Sequence, residues 1–300
     1  MQKNKTIFLF LICLTFIMNG CSNESDNSQI KKEQQSCNII KLWTSLYPLE
    51  HFAKWIISNA EIHSLIPAQS DPHNFEPSLK DIQELYNSNM VIYLGDTDVD
   101  RWLDRIKNEL MKKGVIVIRL QDYIPMKNYL LAKEIDPHVW LDPLLTLEII
   151  KTIKNVAVHS FPDKKDIYEQ NFLKYEAKLR ELDNDFKQAL SNCSLRDVIV
   201  THEFLNYFSV RYGLNTRFIV HEPEEELSIK KIKQLKDLMK QNSIKYVISE
   251  VEGQKTARAL AEETNMLILN FNTFHIKTSQ DYFHAMQENL RVLKTALNCK

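Results

Sequence analysis

Only five glycines occur in the chain, and none of them builds a phosphate-cradling loop, a dinucleotide-binding turn or the Gly-x-Ser-x-Gly elbow that exposes a nucleophilic serine. No Cys-x-x-Cys pair exists among the five cysteines, which disfavours a thiolate metal site and a thioredoxin-type redox centre. Neither sign of charge prevails. The formal net charge is −1, so the chain carries no electrostatic footprint for nucleic acid. Its longest apolar run, Thr6–Met18, falls well short of the ~20 residues that span a bilayer as a helix.

That short run has another use. It follows two lysines in Met1–Lys5 and ends at Asn19-Gly20-Cys21, the charged start, apolar middle and small residue of an export signal. A cysteine directly after Gly20 resembles the lipidation site of a bacterial lipoprotein, although Met18 and Asn19 depart from the usual pattern, so residues 1–21 are expected to be a signal with a lipid on Cys21. Residues 22–37 are polar, lack aromatics and read as a tether. An exported compartment permits disulfides. One pair can form among Cys37, Cys193 and Cys299, and Cys193–Cys299 is favoured because both fall in the second half.

From Cys37 onward, short β-branched runs alternate with stretches of helical period, which predicts an α/β fold with parallel sheets. Ile39–Thr44, Ile62–Ile66, Met90–Gly95 and Val115–Leu120 read as strands of an N-terminal lobe over 38–161. Asp197–Thr201, Arg217–Val220, Tyr246–Ser249 and Leu267–Phe271 repeat the plan in a C-terminal lobe over 193–300. Between them Asp163–Leu190 lacks Gly and Pro and spaces Ile167, Phe172, Tyr175, Leu179, Leu182 and Phe186 like one face of a helix. A single long amphipathic helix over about 162–192 is therefore expected to join two similar lobes.

Two loops repeat one phrase, Asp71-Pro72-His73 and Asp136-Pro137-His138, each followed by an acid and a proline. Proline restricts the backbone beside each histidine, and the upstream Asp can accept nearby N–H groups, so each imidazole is held still as a ligand must be. A third candidate, His202, ends the strand Val198–Thr201. In open parallel sheets ligands bind at the carboxyl ends of strands. Three neutral imidazoles suit Zn²⁺ in tetrahedral geometry, whereas Mn²⁺ prefers more carboxylate oxygen.

These residues also carry a resemblance. Ser64–Ser78, Asp136–Pro143, Thr201-His202-Glu203-Phe204, Tyr212-Gly213-Leu214, Ala259–Thr264 and Tyr282–Leu290 make the chain similar to the zinc/manganese-specific solute-binding proteins of ABC importers, the cluster A-I or cluster 9 family. The resemblance covers Ile39–Leu297. It implies two lobes joined by a backbone helix, a metal held between them by His73, His138 and His202, and delivery to a membrane permease and its ATPase. It also implies zinc, since similar manganese proteins tend to have Glu where this chain has His202. Two departures follow. The family's usual fourth ligand, a carboxylate, aligns with Asn272, which leaves the fourth position to Asn272 itself, water, His275 or Glu250. The His-rich acidic loop that many zinc members carry near Leu120–Glu134 is absent.

Other histidines are expected to serve structure. His63 reads as a packing or hydrogen-bonding residue of a strand, and His51, His159, His221 and His284 sit at spacings that bring no two onto one face. The acidic run Glu222–Glu226 reads as a solvated surface. His202-Glu203 opens a near miss to the His-Glu-x-x-His motif of zinc proteases, but the last histidine is missing and Glu203 reads as a first-turn helix acid. An enzyme is therefore not expected. The remaining alternatives are manganese or mixed-metal import and a surface adhesin with a structural ion, the last suggested by resemblance alone. A monomer is expected.

Overall fold

Short runs rich in Val and Ile seed two separate sheets. The structure, a computed structural model, describes residues 39–300 apart from 68–69, 71, 73–74, 127–129, 132–133, 221–227, 251–253 and 278. Cys21, Cys37, His73, His221 and the Glu222–Glu226 run lie outside the described residues.

In the first half, β1 (Ile40–Thr44), α1 (Tyr47–Ile56), β2 (Ala60–Ser64), α2 (Leu79–Tyr86), β3 (Met90–Tyr93), α3 (Trp102–Lys112) and β4 (Ile116–Arg119) follow one another. The strands pair in parallel in the order β2-β1-β3-β4. A short antiparallel pair, β5 (Leu130–Leu131) with β6 (Glu134–Ile135), then leads into Asp136. Next come α4 (Pro143–Ser160) and α5 (Lys165–Ser191). The second half runs β7 (Asp197–Val200), α6 (Asn206–Tyr212), β8 (Asn215–Phe218), α7 (Ile229–Asn242), β9 (Tyr246–Ser249), α8 (Gln254–Thr264), β10 (Leu267–Asn270) and α9 (Tyr282–Ala296). Its parallel order is β10-β9-β7-β8. Counted from the opposite edge this is second, first, third, fourth, the order of the first sheet, so the two halves repeat one topology.

Both outer strands beside the first of each sheet begin two residues earlier than the apolar runs suggest. β2 starts at Ala60 rather than Ile62, and β8 at Asn215 rather than Arg217. Each is an edge strand with one solvated side, so it alternates polar and apolar residues instead of running apolar throughout. Ile219 and Val220 lie just past β8, buried, with their N–H groups on the carbonyls of Val200 and Thr201.

Local chemistry sets the helix starts. Ser78 and Asp81 form a reciprocal capping box on α2, and the Asp142 carboxylate accepts from Leu144 N and Leu145 N ahead of α4, which has proline in its first turn. α6 ends on Gly213, left-handed at φ +67°.

The long helix is α5, whose 27 residues reach about 40 Å. It is not a bare rod. Tyr168, Leu179, Leu182, Phe186 and Leu190 are buried on it, against α1, α4 and α9. Trp55 of α1 stacks on Tyr175 of α5 at 4.4 Å and on Phe283 of α9 at 5.1 Å between centroids. Burying each such side chain is worth about 1.5–3 kcal/mol. The main core is continuous through both halves, from Leu42, Phe52 and Ile92 to Phe186, Val198 and Phe271. Cys193 and Cys299 are joined by a disulfide across a separation of 106 residues, flanked by Leu195 N donating to Leu297 O at 3.0 Å. Among the described residues no helix is long and apolar enough to cross a membrane.

Candidate metal centre

The second sheet places one imidazole. Beyond the end of β7, Thr201 N donates to Ile248 O at 3.0 Å, so the chain stays against β9 until it releases His202 at the carboxyl edge. This is where the strand order reverses, the crevice position of open α/β sheets. Glu250 leaves β9 alongside. Its Oε1 accepts from His202 Nδ1 at 2.9 Å, and Thr201 Oγ1 donates to both carboxylate oxygens at 3.1 Å. Glu250 is 1% exposed and His202 5%.

The first half supplies the other. Asp136 Oδ1 accepts from both the backbone N and Nδ1 of His138, each at 2.8 Å, as expected of an Asp two residues ahead in a proline-braced loop. The loop is then gripped from the second half. Asn206 Nδ2 donates to Asp136 Oδ2 at 2.9 Å, and Tyr207 OH to Asp136 O at 2.6 Å. Trp140 Nε1 donates to Thr273 O at 2.7 Å, while Trp140 O accepts from Thr146 Oγ1 at 2.8 Å and Tyr282 OH at 2.7 Å. Arg211 Nε reaches Asp142 Oδ1 at 2.6 Å. Burial raises the Asp142 carboxyl above its ordinary range while Arg211 pulls it down. Burial works against the Arg211 charge, but Asp142 more than offsets it and holds its pKa above the ordinary value.

These supports bring His138 and His202 together, with ring centroids 5.4 Å apart and planes at 62°. The Phe204 ring lies against both, at 6.4 Å and 5.2 Å. Each Nδ1 faces a carboxylate oxygen and is therefore the protonated nitrogen, which puts the ring's lone pair on Nε2. The carboxylates fix the orientation of both rings.

The remaining candidates are placed as follows. Glu250 touches His202 through Nδ1, on the side of the ring away from Nε2. Asn272 Oδ1 accepts from Phe274 N at 2.9 Å, and its backbone is clasped by Asn289, which accepts from Asn272 N and donates to Asn272 O at 2.8 Å each. His275 Nδ1 lies 2.5 Å from Thr273 Oγ1. Among the described residues no group of three or more His, Cys, Asp and Glu forms a metal-holding cluster; His73 is outside that set. Glu203 does not open a helix: residues 201–203 form a bend and α6 begins at Asn206. His63 pairs with Glu61 at 3.0 Å and packs on Trp43. The parts with no sequence signature are Asn206 and Tyr207, whose roles depend on contacts between distant segments.

The profile of the zinc-uptake complex component A periplasmic family, ZnuA, matches residues 43–296. The chain belongs to this family. Among ZnuA-family relatives, it is 28% identical over 286 residues to the zinc-binding protein AdcA of Streptococcus pyogenes serotype M1, covering 85% of this chain and 55% of that one. It is 27% identical over 318 residues to the zinc-binding lipoprotein AdcA of Streptococcus pneumoniae strain R6, covering 98% of this chain and 61% of the relative. The chain thus spans little more than half the length of these curated relatives. The Zn(II)-bound ZnuA-like domain of Streptococcus pneumoniae AdcA has the same fold, with a TM-score of 0.76 at 27% identity, over 87% of this chain and 100% of that domain.

Proposed function

We propose that this protein captures Zn²⁺ outside the cytoplasmic membrane and delivers it to the permease and ATPase of an ABC importer. The observation that carries this reading is the pair of imidazoles from the two halves, His138 and His202, 5.4 Å apart and each backed at Nδ1 by a buried carboxylate. Two neutral nitrogen donors with Nε2 as the binding atom favour zinc over a harder, oxygen-seeking ion. His73, from the matching Asp-Pro-His loop, supplies the third nitrogen. The fourth position falls to water, Asn272, His275 or Glu250; the existing bonds of Asn272 Oδ1 and Glu250 favour water.

Membership of a zinc-uptake family and the likeness to a Zn(II)-bound domain support zinc as the cargo. The signal-like start and Cys21, together with a relative named as a lipoprotein, support export and a lipid anchor. Lobes over 38–161 and 193–300, hinged on the helix of 162–192, and a monomeric state complete the reading. No step of this function is enzymatic.

The test is a titration with Zn²⁺ and Mn²⁺ of the protein beginning at Ser22, purified metal-free. One tightly bound zinc per chain that manganese does not displace is expected. His73→Ala, His138→Ala and His202→Ala each weaken zinc binding at least about tenfold without unfolding the chain. Preference for manganese, or wild-type affinity in any of the three variants, would overturn the corresponding part.

A further inference from the structure

We infer that Asn206 is a positioning residue of the metal centre: it locks the Asp136 carboxylate in the plane that aims His138. This inference rests on the zinc reading above. The geometry behind it is particular. Asp136 Oδ1 must accept two N–H groups at once, from the backbone and from Nδ1 of His138, each at 2.8 Å. The terminal torsion of an Asp side chain is broad and shallow, so a carboxylate held by one oxygen alone can swing and take the imidazole with it. Asn206 Nδ2 holds the second oxygen at 2.9 Å. With both oxygens tied, the plane has no freedom left.

The placement of Asn206 gives this bond its meaning. It is the first residue of α6, in the segment that has just released His202, and the same Nδ2 also donates to Glu203 O at 3.2 Å. One amide therefore joins the support of His138, from the first half, to the bend that carries His202, from the second. The spacing of the two imidazoles is thereby fixed before an ion arrives, and zinc meets a prearranged pair rather than ordering it.

Tyr207 makes the role separable from folding. Its hydroxyl donates to the Asp136 carbonyl at 2.6 Å, so the backbone of the loop keeps an anchor when the Asn206 side chain is removed. Asn206→Ala is expected to keep its circular dichroism and melting temperature close to wild type. Zinc affinity is expected to fall by about 10- to 100-fold, the range seen when partners that orient metal ligands are lost. Tyr207→Phe is expected to do the reverse, lowering the melting temperature more than the affinity.

The decisive experiment pairs zinc competition with proton–nitrogen NMR of the metal-free protein, following the Nδ1–H of His138 assigned through His138→Gln. A sharp, slowly exchanging Nδ1–H in wild type that broadens or vanishes in Asn206→Ala, together with weakened zinc binding, supports the inference. Unchanged affinity overturns it, as does weakened affinity accompanied by a parallel loss of melting temperature and an intact Nδ1–H signal. Should wild type bind no zinc, the functional reading falls by itself. The NMR signal then decides separately whether Asn206 positions His138.

Discussion

Trp140 donates its indole N–H to the carbonyl oxygen of Thr273 at 2.7 Å, a bond that ties the loop carrying His138 to the segment carrying Asn272 and His275. Trp140 is 1% exposed and among the largest fully buried side chains. Trp140→Phe removes the donor and strands a buried carbonyl, a loss of about 1–3 kcal/mol, with a further cost for the space vacated. Urea unfolding is expected to show a lower midpoint with an unchanged slope. A midpoint equal to wild type would mean that the Thr273 carbonyl finds another donor.

Glu250 gives a sharper probe of the zinc reading. Glu250→Gln keeps an acceptor for His202 Nδ1 but removes the negative charge behind the ring, so zinc affinity is expected to fall by about tenfold while His202 stays in place. Glu250→Ala also strands Thr201 Oγ1 and is expected to fall further. Competition against a chromophoric chelator measures both. Equal affinities for the two variants would show that the charge matters and the orienting hydrogen bond does not.

The disulfide is expected to stabilise the second half without touching the site. Closing a loop of 106 residues removes enough entropy from the unfolded chain to be worth up to about 5 kcal/mol. Cys193→Ser with Cys299→Ser should lower the melting temperature and leave zinc affinity unaltered, since the bond lies at the amino-terminal side of β7 while His202 lies beyond its carboxyl end. A change in affinity larger than twofold would show that the lobe relaxes as a whole.

Stability should also depend on pH through His51. Its ring packs against Tyr47, Trp55 and Phe274, and its buried Nε2 has no hydrogen-bond partner. Burial pushes its pKa down to about 4, with Asp281 pulling it up, Lys54 pushing it further down and Glu50 pulling it up. Above about pH 6.5 the ring is neutral in both the folded and the unfolded chain and has no effect. Between about 6.5 and 4 the unfolded chain takes up a proton that the folded one refuses, so stability falls as the solution is acidified. The loss is at most about 3 kcal/mol, and less to the extent that water reaches the ring. Melting curves of wild type and His51→Phe at pH 7 and pH 5 measure it: the drop is expected to be smaller in the variant. Identical drops would assign the acid sensitivity elsewhere.

Much of this architecture was legible in the residues themselves. The βαβ alternation, the long amphipathic stretch that becomes α5, and the emergence of His202 at a strand's carboxyl edge all follow from local pattern, because backbone periodicity and strand order act over short distances. The edge strands were shifted because β2 and β8 are half solvated and their alternation was read as the apolar run that follows. Glu203 reads as a first-turn helix acid, yet the chain bends at 201–203 and α6 begins only at Asn206. Asn206 and Tyr207 looked like ordinary helix residues. Their partner, Asp136, is far away in the chain, and no spacing rule connects such segments.

The meeting of Tyr47 and Phe274 has a practical consequence. Tyr47, just past β1, meets Phe274, just past β10, at 5.4 Å between centroids, so the carboxyl edges of both sheets face each other. Ile40 opens β1, and Lys300 N donates to Asn192 O, ahead of β7. Both ends of this body therefore emerge at amino edges, on the far side from the crevice. Handling the protein by either end, on a biosensor chip or at the surface of a cell, leaves the mouth of the crevice open to solution.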